Sequence, residues 1–139
     1  MKPITKLMIR EYKINKLRYD FMGFTFKRES ELSFHHLIIP KRECKIYGIE
    51  EEGYVKWNGA ILVQETSHDY LHLIEQYDRE VFDFITKQMI LMNENGSLDE
   101  YRLRQIGIVL KGFENTHSGL KSSSGKRLIK REYYNRIYR

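Results

Sequence analysis

Three segments hold four of the chain's five histidines: Phe34-His35-His36-Leu37-Ile38-Ile39-Pro40, Trp57-Asn58-Gly59-Ala60-Ile61-Leu62-Val63 and Ser67-His68-Asp69-Tyr70-Leu71-His72. The histidines fall into two pairs, with Asn58 between them. Ser33 to Ile39 is rich in bulky apolar residues and closed by Pro40, as a short strand is. Gly59 to Val63 is apolar and reads as a buried strand. From Ser67 the pattern turns helical. Thr66 and Ser67 are N-cap types, and Leu71, Ile74 and Val81 follow at near-helical spacing. Two strands and a helix, with a long polar loop from Lys41 to Lys56 between the strands, define an α+β fold.

Imidazole is the commonest metal ligand and the side chain best suited to proton transfer near neutral pH. His68 and His72 are four apart, so on a helix they stack on one face and can share an ion. His35 and His36 are adjacent, and adjacent side chains on a strand point to opposite faces. Either the strand bends there or one histidine faces away. If the strand end meets the helix, three imidazoles converge and leave an open metal position, the pattern of a catalytic rather than a structural site. The fourth is then free for acid–base work. Each element alone is bland: His-x-x-x-His fits any helix, and Asn-Gly alone usually marks a turn. Their order and combination carry the reading.

The order of a His-His dyad, Pro40, Asn58 and His68-x-x-x-His72 resembles the His-Asn-His (HNH) endonuclease superfamily, the ββα-metal nucleases, most closely the colicin-type variant of its motif. The likeness covers about Phe34 to Ile74. It implies a ββα-metal core at 33–77, with His36 as general base and His35, His68 and His72 as ligands of one divalent metal ion. Asn58 braces the loop and holds His36 in position. The implied substrate is DNA, or RNA, cut to leave a 5′ phosphate, with Mg, Mn or Zn at the site. Three imidazoles themselves favour Zn or Ni over Mg, which prefers oxygen ligands. Two features depart from the pattern. Asn58 to His68 spans ten residues, one more than the commonest spacing. The Cys-x-x-Cys pairs and loop Gly-Gly of many members are missing, since Cys44 is the one cysteine.

At 139 residues the chain is long enough to bury a core and reads as one domain, 1–139. Hydrophobic residues are 41% and charged residues 31%, as in ordinary globular proteins. No apolar run has the length of a membrane span, and charges interrupt Met1 to Asn15, so neither a membrane partner nor a signal peptide is expected. One cysteine excludes an internal disulfide framework. An intracellular, cytoplasmic protein is the expectation.

Charge is unevenly placed. Residues 1–32 carry eight Lys/Arg against four acids, and 121–139 carry seven against one, while 33–120 hold nine against fourteen. Basic ends can lie along a polyanion while the centre supplies the site, or they can be solvated surfaces. The tail residues Lys126, Arg127, Lys130, Arg131 and Arg136 are the candidate phosphate contacts. Tyr133 and Tyr134 either stack on bases, or Ile129, Tyr133 and Ile137 pack one helix face inward.

Around this core the reading places a strand pair or a bent strand over Leu17 to Arg28, within a basic N-terminal segment 1–32, from the alternation Tyr19, Phe21 and Phe24, Phe26 about Met22-Gly23. A helical extension follows at 78–139. Asp78 caps a second helix that stops at Asn93-Glu94-Asn95-Gly96, and a third runs from Leu98 to Glu114 with Leu103, Ile106, Leu110 and Phe113 inward. The run Glu50-Glu51-Glu52 reads as solvated loop rather than a metal site, Ser122-Ser123-Ser124-Gly125 as a mobile loop, and His117 as a bystander.

Three functions fit these observations. The first is a metal-dependent DNA endonuclease of a kind that suits a phage or mobile element. The second is an inactive binding or inhibitor protein on the same scaffold, with a protein partner. The third is a small basic nucleic-acid-binding protein with a structural metal. Folds outlive functions, so an intact motif does not itself establish activity.

Overall fold

The structure is a computed structural model, and it describes residues 1–117. The two expected strands are present. β1 (Leu32–His36) and β2 (Gly59–Val63) pair antiparallel, with Leu32 opposite Val63, Phe34 opposite Ile61 and His36 opposite Gly59. Every residue of β2 is buried, as its unbroken apolar run requires. Among the described residues the two strands form a sheet on their own, and helices cover it.

The start of the N-terminal segment is helical, and the strand pair or bent strand expected over Leu17 to Arg28 is reduced to a turn with one antiparallel bridge. α1 (Pro3–Glu11) starts with proline at its first position, where φ is preset and the missing N–H costs nothing. Its inward face is Thr5, Met8 and Ile9, continued by Tyr12, a helical rather than alternating pattern. A short α2 (Ile14–Leu17) follows. The aromatic alternation after it is not a pleated surface with one wet face. Tyr19, Phe21, Phe24 and Phe26 are all buried around a tight turn whose one ladder contact is the bridge between Tyr19 and Thr25. Asp20 makes the turn: its Oδ1 accepts from Met22 N and Phe24 N at 2.9 and 3.0 Å. Phe21 N donates to Ile61 O, so the turn is stitched to β2. Burying a Phe side chain contributes about 1.5–3 kcal/mol, enough to override the strand pattern.

The helices after β2 follow the expected breaks. α4 (Asp69–Tyr77) and α5 (Arg79–Asn95) are separated at Asp78, whose side chain accepts from Val81 N. α5 stops at Gly96, and α6 (Glu100–Thr116) buries Leu103, Ile106, Leu110 and Phe113. Asn93, near the end of α5, donates from Nδ2 to Lys56 O and Gly59 O, and its backbone carbonyl accepts from the Tyr12 hydroxyl. One side chain thereby fixes the start of β2 against α5, while the backbone carbonyl ties in the segment after α1. No helix of the described residues is long and apolar enough to cross a membrane.

Two local expectations are corrected. The loop 41–56 contains a short α3 (Lys41–Cys44) and a tight turn at Glu50–Gly53, with another at Lys56–Asn58. Thr66 and Ser67 do not cap α4. A π-helical turn, Gln64–His68, leads directly into it, and the Ser67 hydroxyl is buried beneath that turn. The basic tail with Lys126, Arg127, Lys130, Arg131 and Arg136, and the serine loop, lie outside the described residues.

Candidate metal centre

His35 points from β1 toward α4, and His36 points away from it, so adjacent positions on one strand serve two environments. The His35 ring is 5.2 Å from that of His68 and 5.8 Å from that of His72, centroid to centroid. His68 and His72 are 4.5 Å apart. One nitrogen from each of the three lies within 4.8 Å of the others. His68 Nε2 and His72 Nε2 are separated by 3.2 Å. Two nitrogens about 2.0–2.1 Å from one tetrahedral ion stand about 3.3 Å apart, so this pair already has the spacing of co-ligands.

The protonation states fit a cation. Burial first, and then the neighbouring His68, His72 and His36, together push the pKa of His35 down to about 3. His68 is lowered by burial and by His72, with Asp69 opposing. Both are neutral at pH 7 and offer lone pairs, as metal ligands must. His72 Nδ1 is 3.5 Å from Glu75 Oε1. A carboxylate behind a ligating imidazole fixes its tautomer and orientation. The residues present therefore fit a divalent ion held by His35, His68 and His72.

The backbone that aims His68 depends on Asp20. Its Oδ2 accepts from Val63 N at 2.8 Å and from the Ser67 hydroxyl. With the two bonds to Oδ1, this fully buried carboxylate joins the aromatic turn, the end of β2 and the π-helical turn before α4. Burial raises its pKa to about 6, against the opposing effect of its hydrogen bonds.

His36 is held from the loop side. Its Nε2 is 3.0 Å from Glu52 O. A carbonyl only accepts, so Nε2 carries the proton and Nδ1 keeps the lone pair. Phe34 and Tyr54 flank the ring at 5.1 and 4.8 Å. Burial lowers the pKa of His36, offset in part by the bond to Glu52.

Asn58 is fully buried and spends its whole amide on the loop. Oδ1 accepts from Ile38 N and Ile39 N at 3.0 and 2.8 Å. Nδ2 donates to Ile39 O and Gly53 O at 3.0 and 3.2 Å. Asn58 closes the tight turn at Lys56–Asn58, and Gly59 opens β2. Phe34 lies over Gly59 so closely that a Cβ there would meet its ring at 2.2 Å.

Four histidines and Phe34 line one open cleft with Pro40, Lys41, Arg42, Lys45 and Glu52. His117 is elsewhere, stacked on Phe113 at 4.3 Å.

Several contributors were missed in the sequence. Glu75 is three residues after His72, a legible helical neighbour. Asp20 is an acid inside an aromatic run, which signals a buried polar role. Gly53 has φ +81 and no room for a Cβ between Cys44, Asn58 and His36. Glu52 acts through its carbonyl, for which side-chain type carries no signal. Searches against family models, curated proteins and solved structures returned no match to the chain.

Proposed function

We propose that this protein is a divalent-metal-dependent endonuclease with a ββα-metal core, hydrolysing phosphodiester bonds in DNA. The observation that supports it best is the division of labour between adjacent strand residues. His35 joins a cluster of imidazoles with His68 and His72, while His36 is held separately with a free Nδ1 at the same cleft. The π-helical turn Gln64–His68 also accounts for the long Asn58-to-His68 spacing. A π turn takes up one residue more than an α turn, the same excess that the spacing shows over the family's commonest form.

In this reading the cleft admits the sugar–phosphate backbone beside His36. His35, His68 and His72 would hold the ion, which would supply Lewis acidity to offset charge on the phosphoryl and departing oxygens. His36 Nδ1 takes a proton from the attacking water as the new phosphorus–oxygen bond forms and the bond to the leaving sugar oxygen breaks. The departing oxygen recovers a proton from solvent, which reaches the open cleft. The Glu52 carbonyl keeps the opposite nitrogen protonated, so the imidazole cannot present the wrong edge. Asn58 keeps the loop carrying that carbonyl in place. Lys41, Arg42 and Lys45 at the rim attract phosphates.

Conversion of supercoiled plasmid by purified protein, with and without chelator and with metal added back, tests the proposal. Nicking that chelator abolishes and metal restores is expected. Binding without nicking in any of Mg, Mn, Zn or Ni sinks it in favour of the inactive scaffold.

A further inference from the structure

We infer that Lys2 and the exposed face of α1 form a phosphate-binding track that carries duplex DNA away from the metal centre; the inference rests on the nuclease reading above. Tyr54 is the bridge. Its ring is 4.8 Å from that of His36 on one side, and Lys2 Nζ stands 4.2 Å from its centroid. Lys41 Nζ lies 5.4 Å from the same ring. The ammonium of Lys2 is thus only one aromatic ring away from His36, a span of one to three nucleotides at roughly 3.4 Å of rise each. Phe34 lines both the histidine cleft and an adjoining hollow bounded by Lys2, Thr5, Lys6, Glu29 and Tyr54. The two depressions share a wall and are continuous with a basic edge.

Helical spacing extends that edge. Lys2, Lys6 and Arg10 recur every fourth residue and are all exposed, on a face beside the buried Thr5, Met8 and Ile9. Successive members are about 6 Å apart along the axis, a step suited to a row of phosphates.

The ion pairs separate this edge from an ordinary solvated helix. Nearby acids mostly have partners within the chain, at its surface. Glu11 pairs with Lys56 at 2.5 Å, Glu29 accepts from Asn15, and Glu31 accepts from the Lys27 and Arg28 backbone. Glu52 pairs with Lys41 at 3.6 Å. Lys2, Lys6, Arg42 and Lys45 make no ion pair among the described residues. Glu29, whose bond from the neutral Asn15 amide leaves its charge in place, and Glu51 are the lining acids without one, two against those four cations. Positive charge is therefore left over along the cleft and its extension, although the segment 33–120 as a whole is acidic. Base edges play no part in the argument, so the track gives affinity and not sequence choice.

The test is binding of metal-loaded His36→Ala protein to a short duplex across a salt series. The same background then carries Lys2→Gln with Lys6→Gln. Lys87→Gln with Arg104→Gln is the charge-matched control, since both residues are exposed and neither lines the cleft. Each lost phosphate contact removes about 0.9 from the slope of log affinity on log salt. The track variant should be flatter by about 1.8, and the control should match its parent. Lys2→Arg with Lys6→Arg should restore the slope. A track variant with the parent's slope, or a control that flattens equally, overturns the track and leaves the nuclease reading standing. Failure of the parent to bind duplex at low salt overturns both.

Discussion

The wall of the cleft that carries His68 and His72 and the wall that holds His36 in place are built by different forces. The first is α4 with the π-helical turn before it: α4 buries Tyr70, Leu71, Leu73 and Ile74 and presents His72 from its other side, and the turn ends in His68. Its position is over-determined by apolar packing. The second is the loop from Leu37 to Asn58, which buries only Leu37, Cys44, Gly53 and Asn58. It is held by one amide, one glycine and a carbonyl. The metal-binding half therefore resists polar substitution, and the half that holds the base is sensitive to single atoms.

The largest expected effect follows from that contrast. Asn58→Ala removes four hydrogen bonds and leaves two N–H and two C=O groups of the loop to find water. We expect a loss of about 3 kcal/mol in urea unfolding, together with loss of nicking. Gln76→Ala, an exposed polar truncation on α4, should cost under about 0.5 kcal/mol. Equal costs at the two positions would erase the distinction between the walls.

Asp20 tests the exception, a polar group on which the helical wall does depend. Asp20→Asn turns an acceptor-only group toward four donors, so one N–H or hydroxyl meets an amide NH₂. We expect about 2 kcal/mol of destabilisation. The sign of its pH dependence is fixed. The folded pKa of about 6 lies above the ordinary 3.8, so the folded protein binds more protons between these values. The stability linked to that uptake is present below 3.8 and lost as pH rises through about 6. The penalty of Asp20→Asn should therefore be larger at acid pH and shrink toward neutrality, read by denaturant melts of both proteins. A penalty that grows with pH would contradict the assignment.

These two residues also mark how far the sequence could be read. Both strands, the α4/α5 break at Asp78 and the inward stripe of α6 were legible because apolar periodicity and a capping residue agree there. Residues 1–32 were misread because buried aromatics on both sides of a tight turn mimic strand alternation, and the helical spacing of Thr5, Met8, Ile9 and Tyr12 was passed over. The four histidines and Asn58 stood out by residue type. The carbonyl of Glu52, the cramped Gly53 and the π-helical turn did not, because backbone geometry leaves little trace in composition.

Gly53→Ala should cost about 2 kcal/mol. Its Cβ would lie 2.4 Å from Cys44 Sγ and 3.1 Å from the His36 ring, at a φ that only glycine adopts freely. Nicking should fall with it, while metal content stays. The smallest effect runs the other way. Glu51 and Glu52 sit at φ +53 and +55, left-handed values that cost a side chain. Glu51→Gly should raise stability by about 0.5 kcal/mol, seen as a higher urea midpoint with an unchanged slope.

The most direct test is a double dissociation between the walls, with metal content and plasmid nicking measured on His36→Ala and His72→Ala prepared side by side, and His117→Ala as control. His36→Ala should retain its metal and lose cleavage by about a hundredfold or more, the usual contribution of a general base. His72→Ala should lose metal and cleavage together, and His117→Ala should change neither. His36→Ala protein that cuts as fast as the parent, or His72→Ala protein that keeps full metal, would contradict the account.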